Sequence, residues 1–225
     1  MKNTLRLAVL FVATACIAGY ASADEINYGD FEGDTVTYVD VSEASLEDGA
    51  LYGAPSVTGN SLSLPGTGFI SESNNGEVDF LDGRLSFMIE ADPNSTISSI
   101  TIEEFGAYFT FGEDSIASVS AIAFVETLEG SLTSGDFSFS TTGVAGNQPN
   151  SGPWQQSLTI SFPETTKITV TLDNQLFTFA DDPGVAFIDK KGINVTVGKN
   201  VVPEPTAAAL LAAGFLGLAV RRRKR

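Results

Sequence analysis

The clearest structural signal in the chain lies in residues 158–179, which read LTISFPETTKITVTLDNQLFTF. Apolar residues alternate with Thr and Ser over 158–162 and again over 168–172. Because successive side chains of a strand point to opposite faces, this period of two predicts two β-strands, each with one buried face. Asp173 and Asn174 are residues typical of turns, and they predict a hairpin turn into a further short strand.

The same period of two recurs through residues 24–200, between segments rich in Gly, Asn, Asp and Pro. About ten short strands, with no run of helical period among them, predict an all-β fold, an antiparallel β-sandwich of jelly-roll-like type. Residues 117–125 carry apolar side chains on both faces, which predicts a central strand. The other predicted strands contain Val36 and Tyr38, Leu85 to Ile89, Ile100 and Ile102, Tyr108 to Phe111, and Ile193 to Val197.

Residues 1–23 have the layout of an export signal. Two basic residues precede an apolar run over 7–18, and Ala21 and Ala23 supply the small side chains that a signal peptidase requires. The mature chain is therefore predicted to begin at Asp24.

The one cysteine of the chain, Cys16, offers an alternative ending for this signal. It closes the stretch Ala13-Thr-Ala-Cys16, which resembles a weak lipobox in which the cysteine is lipidated. Alanine stands where leucine is usual, and an Ala-x-Ala site follows, so cleavage after Ala23 is favoured. A mature chain without cysteine excludes disulfides, thiol catalysis and thiolate metal sites.

The C-terminal residues 201–225 combine three segments of different character. Prolines in the first segment fix φ and withhold backbone donors, so it should be extended and exposed. Residues 206–220 are apolar apart from Thr206 and predict a membrane helix of about 22 Å, short of the roughly 30 Å hydrocarbon core. The basic end orients the helix with its C-terminus in the cytoplasm. The extended segment is Val202, Pro203, Glu204 and Pro205, and the basic segment is Arg221, Arg222, Arg223, Lys224 and Arg225.

This order of a Pro-Glu-Pro motif, a short apolar helix and a terminal basic cluster resembles the tail of the PEP-CTERM family. The resemblance covers residues 202–225 and implies recognition and processing by an exosortase, typically in bacteria that export exopolysaccharide. On this interpretation the membrane helix is a transient signal. An ordinary single-pass anchor is the alternative, and it explains the helix and the charges but not the adjacent prolines.

The body of the protein between the two signals is strongly acidic. It holds all of the 28 acidic residues except Glu204, and its basic residues are Arg84, Lys167, Lys190, Lys191 and Lys199. Such a surface repels nucleic acid and anionic lipid, so DNA and RNA binding are excluded. Solvation of the exported domain accounts for the acidity more simply than an acidic binding face does.

Histidine is absent from the sequence, which excludes Ser-His-Asp and Cys-His arrangements and removes the commonest zinc ligand. A carboxylate pair remains the one route to hydrolysis of a glycosidic bond. Adjacent pairs on a strand point to opposite faces, however, so adjacency is not evidence for a catalytic dyad. The adjacent pairs are Glu103-Glu104, Glu113-Asp114 and Asp181-Asp182.

Two further features are weak candidates for binding sites. Asp30, Glu32 and Asp34 alternate along one side of an extended segment and offer the oxygen ligands that Ca²⁺ prefers, although solvated surface charge is the favoured explanation. Trp154, the single tryptophan, is a candidate platform for stacking a sugar ring, with a buried loop anchor as the favoured alternative.

Together these patterns predict three segments: a signal peptide over 1–23, an exported β-sandwich over 24–200, and a sorting signal over 201–225. The resemblance implies a protein of the cell surface or extracellular matrix, held in the membrane as a precursor and sorted by an exosortase. Its domain is expected to be structural, adhesive or associated with exopolysaccharide, without catalysis and with no cofactor other than the candidate calcium. The alternative is a hydrolase that acts on the polysaccharide through a carboxylate pair.

Overall fold

A computed structural model describes residues 25–45, 49–146 and 148–201, and the side chains of 199–201 are outside that description. These residues form twelve β-strands and no helix. Accordingly, no helix long and apolar enough to cross a membrane occurs in this part of the chain. The strands are β1 (Ile26–Glu32), β2 (Val36–Ser45), β3 (Ser56–Thr58), β4 (Ser61–Leu64), β5 (Ile70–Asn74), β6 (Val78–Ala91), β7 (Ser95–Phe111), β8 (Ile116–Thr127), β9 (Leu132–Thr142), β10 (Asn150–Thr165), β11 (Lys167–Phe179) and β12 (Val185–Val201).

The strands build two antiparallel sheets. The first has the order β1-β2-β6-β11-β8-β9 and the second has the order β10-β7-β12-β4-β3. Strand β5 also pairs with β12, so that β12 has β7 along one side and β5 followed by β4 along the other. The predicted all-β antiparallel sandwich is confirmed, while its jelly-roll subclass stays a prediction.

Strand β11 lies at the centre of the first sheet, between β6 and β8. Its side chains alternate between buried and half-buried along its whole length, and Ile168, Leu172 and Leu176 are fully buried. The predicted turn at Asp173 and Asn174 is wrong, because both residues pair within the sheet on both sides. The period of two continues through them, and Asn174 points into the sandwich with its amide satisfied there.

Residues 117–125 form part of β8, an interior strand of the first sheet between β11 and the end strand β9. The predicted strand is confirmed, but it is not the central one and has only one buried face. Ala117, Val119 and Val125 are buried, whereas Ile122 and Phe124 are half-buried. A two-layer sandwich covers only the inner face of each sheet, so apolar residues on the outer face stay partly accessible.

The core fills the space between the two sheets. Tyr38 of β2 crosses it and donates from its hydroxyl to the carbonyl oxygens of Asn60 (2.8 Å) and Val195 (3.0 Å) of the second sheet. Each fully buried Leu or Ile contributes about 1.5–3 kcal/mol relative to an exposed position. Buried aliphatic residues of the core include Leu85, Ile89, Val170 and Leu172 in the first sheet and Ile100, Ile102, Ile188, Ile193 and Val195 in the second.

The sequence features at the two ends of the chain lie outside the described residues. These are the signal peptide over 1–23 with its cleavage residues Ala21 and Ala23, and residues 202–225 of the sorting segment, including the helix predicted over 206–220. Strand β12 continues to Val201, which pairs with Ser95, so the folded domain extends to the first residue of the sorting segment.

Replacement of Leu172 by Ala should lower the free energy of unfolding by about 2–5 kcal/mol, because the side chain is fully buried at the centre of the sandwich. Urea denaturation of the purified protein measures this change. Leu132→Ala is the matched control, since Leu132 is 67% exposed, and it should change stability by less than about 0.5 kcal/mol. Equal losses in the two variants would contradict the packing described.

Candidate functional site

A polar cluster is buried between the two sheets, in the middle of the apolar core. Its members are Lys190 of β12, Glu104 of β7, Asn174 of β11 and Tyr52 from the segment between β2 and β3. Lys190 is 1% exposed and the other three are 0% exposed. Lysine and glutamate are almost never buried to this degree unless they are paired, so this cluster is the candidate site.

The Lys190 ammonium group contacts two oxygen atoms. Its Nζ lies 2.5 Å from Oε2 of Glu104 and 2.5 Å from Oδ1 of Asn174. It also lies 4.8 Å from the centre of the Phe69 ring. The amine is therefore held between a carboxylate, a side-chain amide and an aromatic face.

Tyr52 closes the other side of the cluster. Asn174 Nδ2 donates to the Tyr52 hydroxyl (3.1 Å), which in turn donates to the carbonyl oxygen of Gly83 (2.8 Å). Glu104 Oε1 is buried and has no hydrogen-bond partner among the described residues. One oxygen of the carboxylate therefore remains available beside the amine and the amide.

Local strand geometry places Asn174 and makes room for it. The residue shares the inward face of β11 with Leu172 and Leu176, as the period of two requires. Its neighbours on the adjoining strands are Gly83 and Ala121. A β-carbon at Gly83 would collide with the Phe69 ring and with Leu51, so the small residue there allows these side chains to pack beside Asn174.

Lys190 faces inward in phase with Ala186 and Ile188, because successive side chains of β12 alternate between its two faces. A bulge follows directly after it. The register against β7 shifts between Lys190 and Gly192, and Lys191 points outward with its side chain 59% exposed. A β-carbon at Gly106, the partner of Lys190 in β7, would collide with the carbonyl oxygen of Asp189. The close approach of β7 and β12 at this point therefore requires glycine.

Glu43 fixes the backbone that carries Tyr52. Its carboxylate accepts hydrogen bonds from the backbone N–H groups of Leu51 (2.8 Å), Tyr52 (2.9 Å) and Gly53 (3.3 Å). Three bonds to one buried carboxylate replace the backbone pairing that this irregular segment lacks. The Tyr52 ring also packs edge-on against Phe69, with 4.8 Å between ring centres.

Burial changes the proton affinities in the cluster. It lowers the pKa of the Lys190 amine, and the nearby Glu104 opposes this change. Burial raises the pKa of the Tyr52 phenol well above its ordinary value, so this group remains a neutral donor. A buried ion pair often contributes no more stability than apolar residues of the same volume. The buried position and the lowered pKa of the amine therefore indicate a chemical role for the cluster in addition to a structural one.

The candidate residues from the sequence lie elsewhere. Trp154 is in β10 and 3% exposed, its Nε1 donates to the carbonyl oxygen of Asp189 (2.9 Å), and its ring stacks on Phe139. An indole buried in this way presents no face to a sugar ring, so the platform interpretation is wrong and the packing alternative fits.

The acidic candidates are not assembled into a metal site. Asp30, Glu32 and Asp34 are exposed, and Asp30 accepts a hydrogen bond from the backbone N–H of Asp40 (2.9 Å). Within 25–45, 49–146 and 148–201 no group of three or more His, Cys, Asp or Glu side chains is arranged to hold a metal ion. Glu103 and Glu104 point to opposite faces of β7, as expected from strand geometry.

Sequence reasoning missed three of the four members of the cluster. The sequence assigns Asn174 to a turn and shows Lys190 only as one of the basic residues of the body, and it gives Tyr52 no role. Glu104 appears only as half of an adjacent acidic pair. The signal was present in β11 and β7, where Asn174 and Glu104 occupy positions that the alternation assigns to the core. For Lys190 the signal is ambiguous. It continues the alternation of Ala186 and Ile188, but the alternation of Ile193 and Val195 beyond the bulge assigns Lys191 to the core instead.

Comparison with known proteins identifies one sequence feature. Residues 201–224 match the model of the PEP-CTERM protein-sorting motif. No curated protein matches the sequence.

Solved structures resemble the chain only distantly. A carbohydrate-binding module, TmCBM61 in complex with β-1,4-galactotriose, is 11% identical with a TM-score of 0.28, over 80% of this chain and 90% of that one. The enzymatically active domain of tailspike protein 4 of bacteriophage CBA120 is 10% identical with a TM-score of 0.22, over 77% and 19%. Infectious bursal disease virus strain Gt gives 12% identity and a TM-score of 0.26, over 73% and 52%. These scores are too low to carry a functional argument.

The buried phenols make stability sensitive to alkali. Burial raises the pKa of Tyr38 and of Tyr52 above the ordinary value of 10.0, so above pH 10 the folded state binds more protons than the unfolded state. The free energy of unfolding should therefore fall as the pH rises beyond 10. Tyr38→Phe and Tyr52→Phe should each reduce this decline in urea denaturation series at several pH values, whereas an unchanged slope in both would refute the assignment.

Proposed function

We propose that this chain, which carries the PEP-CTERM protein-sorting motif at residues 201–224, is an exported protein sorted by an exosortase to the cell surface or extracellular matrix. The match to the sorting motif is the observation that carries this proposal. The β-sandwich is then the exported cargo, and it serves as a structural or adhesive module without catalytic activity.

The physical character of the tail supports a transient membrane stage. The helix that the sequence predicts over 206–220 would be short for a permanent anchor, and the basic residues that follow would hold its end in the cytoplasm. Prolines at 203 and 205 keep the preceding backbone extended and open to a processing enzyme. The domain therefore reaches the outer side of the membrane while still attached to its signal.

The folded domain suits the role of a load-bearing module. Its last strand, β12, pairs with β7 from Val185 to Val201 and leads directly into the sorting segment. Any force applied through the C-terminal attachment therefore enters a strand that is paired with β7 up to Val201 and, further from the C-terminus, with β4 and β5 on its other side. The strongly acidic composition keeps such a module soluble outside the cell.

Mutation of the motif should separate sorting from folding. Replacement of Pro203, Glu204 and Pro205 by Ala should leave the thermal unfolding of the domain unchanged and block processing in the native host. Intact mass spectrometry of the mature protein should then show the tail retained in the variant and removed in the wild type. A wild-type protein that keeps residues 206–225 in its main species would favour a permanent anchor.

The basic end should be required for orientation. Neutral residues in place of Arg221 to Arg225 should let the tail pass through the membrane, because the positive charge holds it on the cytoplasmic side. Unprocessed protein in the culture medium, detected by its mass, is the expected result. Normal processing of this variant would show that the charges have no such role.

The absence of catalysis is also open to experiment. The purified protein incubated with the exopolysaccharide of its own host should leave the polymer chain length unchanged in size-exclusion chromatography. Retention of the protein on the polymer without cleavage would indicate a carbohydrate-associated module. Shortening of the polymer would instead support the hydrolase alternative.

A further inference from the structure

We propose that Lys190 and Asn174 become joined by an intramolecular isopeptide bond, formed inside the folded sandwich with Glu104 as the proton carrier. The bond would link Nζ of Lys190 to Cγ of Asn174 and release ammonia. This inference rests on the buried cluster alone and is independent of how the tail is sorted.

The reacting groups already touch. Nζ of Lys190 lies 2.5 Å from Oδ1 of Asn174, and Cγ is one covalent bond beyond that oxygen. An intramolecular reaction gains most when the two groups are held in contact by the surrounding structure. Here the contact is imposed by two different sheets, because Asn174 belongs to β11 and Lys190 belongs to β12.

The environment favours the reactive form of the amine. Only an unprotonated amine has a lone pair for attack, and burial lowers the pKa of Lys190. Its proton has an acceptor at Oε2 of Glu104, 2.5 Å away, and the transfer converts a buried ion pair into two neutral groups. Phe69 and Tyr52 enclose the cluster with aromatic surface.

The reaction balances without any further reagent. The proton of the Lys190 ammonium passes to the Glu104 carboxylate, and the freed lone pair attacks Cγ of Asn174, whose carbonyl electrons move onto Oδ1. A proton from Nζ then reaches Nδ2 through Glu104, the Cγ–Nδ2 bond breaks, and ammonia leaves with the electron pair as the carbonyl re-forms. The products are an amide, ammonia and a neutral carboxylic acid, and nothing is oxidised or reduced.

Glu104 is placed to move the protons of this reaction, and Tyr52 is placed to hold the leaving nitrogen. Glu104 Oε2 contacts the amine, and Glu104 Oε1, which is buried without a partner among the described residues, is free to carry a proton to the amide. Tyr52 holds the leaving nitrogen through its hydroxyl at 3.1 Å. Removal of both charges from the core would also end the desolvation cost of the ion pair.

The other lysines with described side chains lack this arrangement. Lys191 pairs with Asp189 at 3.7 Å and is exposed, and Lys167 pairs with Glu90 at 2.8 Å at the surface. Within the described part of the chain, neither ammonium group makes a hydrogen bond to a side-chain amide. The cross-link is therefore specific to Lys190. It would join β12, the strand that leads to the C-terminus, to the opposite sheet.

Trypsin digestion of the denatured full-length protein provides a direct test. Cleavage after Lys167 and Lys190 gives the peptide 168–190, which contains both residues in question. An acylated Lys190 is not a trypsin site, so the linked protein should give 168–191 instead, lighter than its sequence mass by one ammonia. A succinimide at Asn174 has the same mass loss but leaves cleavage at Lys190 intact, which distinguishes the two.

Matched variants assign the roles. Lys190→Arg should abolish the link, since a guanidinium stays protonated, and peptide 168–190 should then appear with its full mass. Lys191→Arg is the control and should give the linked peptide as in the wild type. Glu104→Gln should prevent or strongly slow the link, and undiminished linkage in this variant would remove Glu104 from the reaction. If a variant fails to fold, the wild-type digest still decides, because unmodified 168–190 from the folded wild type overturns the proposal.

Discussion

The structure depends on the requirement that every polar group on the inner faces of the two sheets find its partner inside the sandwich. Water cannot supply that partner, and an unpaired buried donor or acceptor costs about 1–3 kcal/mol. Tyr38 meets the requirement by donating to two backbone carbonyls of the opposite sheet. Lys190, Glu104, Asn174 and Tyr52 meet it as a group, with a single carboxylate oxygen left over.

This constraint explains which parts of the fold the sequence predicts. Alternation of apolar and polar residues is enough to identify β11 and β8 as strands and to assign their inner faces, because burial acts on each strand separately. It fails at Asn174, which looks like a turn residue when local propensity is considered alone. Its amide is satisfied by Tyr52 and Lys190, which are distant in sequence, so the strand continues where local chemistry predicts a break.

The same reasoning explains why the candidate site was harder to predict than the fold. Lys190 and Lys191 are identical in type and adjacent, yet one is buried and the other is exposed. The two side chains point to opposite faces of β12, and Lys190 is in phase with the buried Ile188. The bulge that follows Lys190 changes the phase, so that Ile193 also faces inward, and the sequence does not show where this change occurs. For Trp154 the error is in the opposite direction. The sequence offers it as a surface platform for a sugar ring, but it is buried, packs on Phe139 and donates to the carbonyl oxygen of Asp189.

The buried cluster and the C-terminal sorting segment are linked by one strand, β12. Strand β12 carries Lys190 near its middle and ends at Val201, where the sorting motif begins. Between these points the strand is held by backbone hydrogen bonds, which can be broken one after another when the chain is pulled from its end. The side chain of Lys190 is the first contact along this path that reaches a charged group and a side-chain amide in the interior. A covalent bond between Lys190 and Asn174 would stop the progressive loss of strand pairing at Lys190, before it reached the rest of the second sheet.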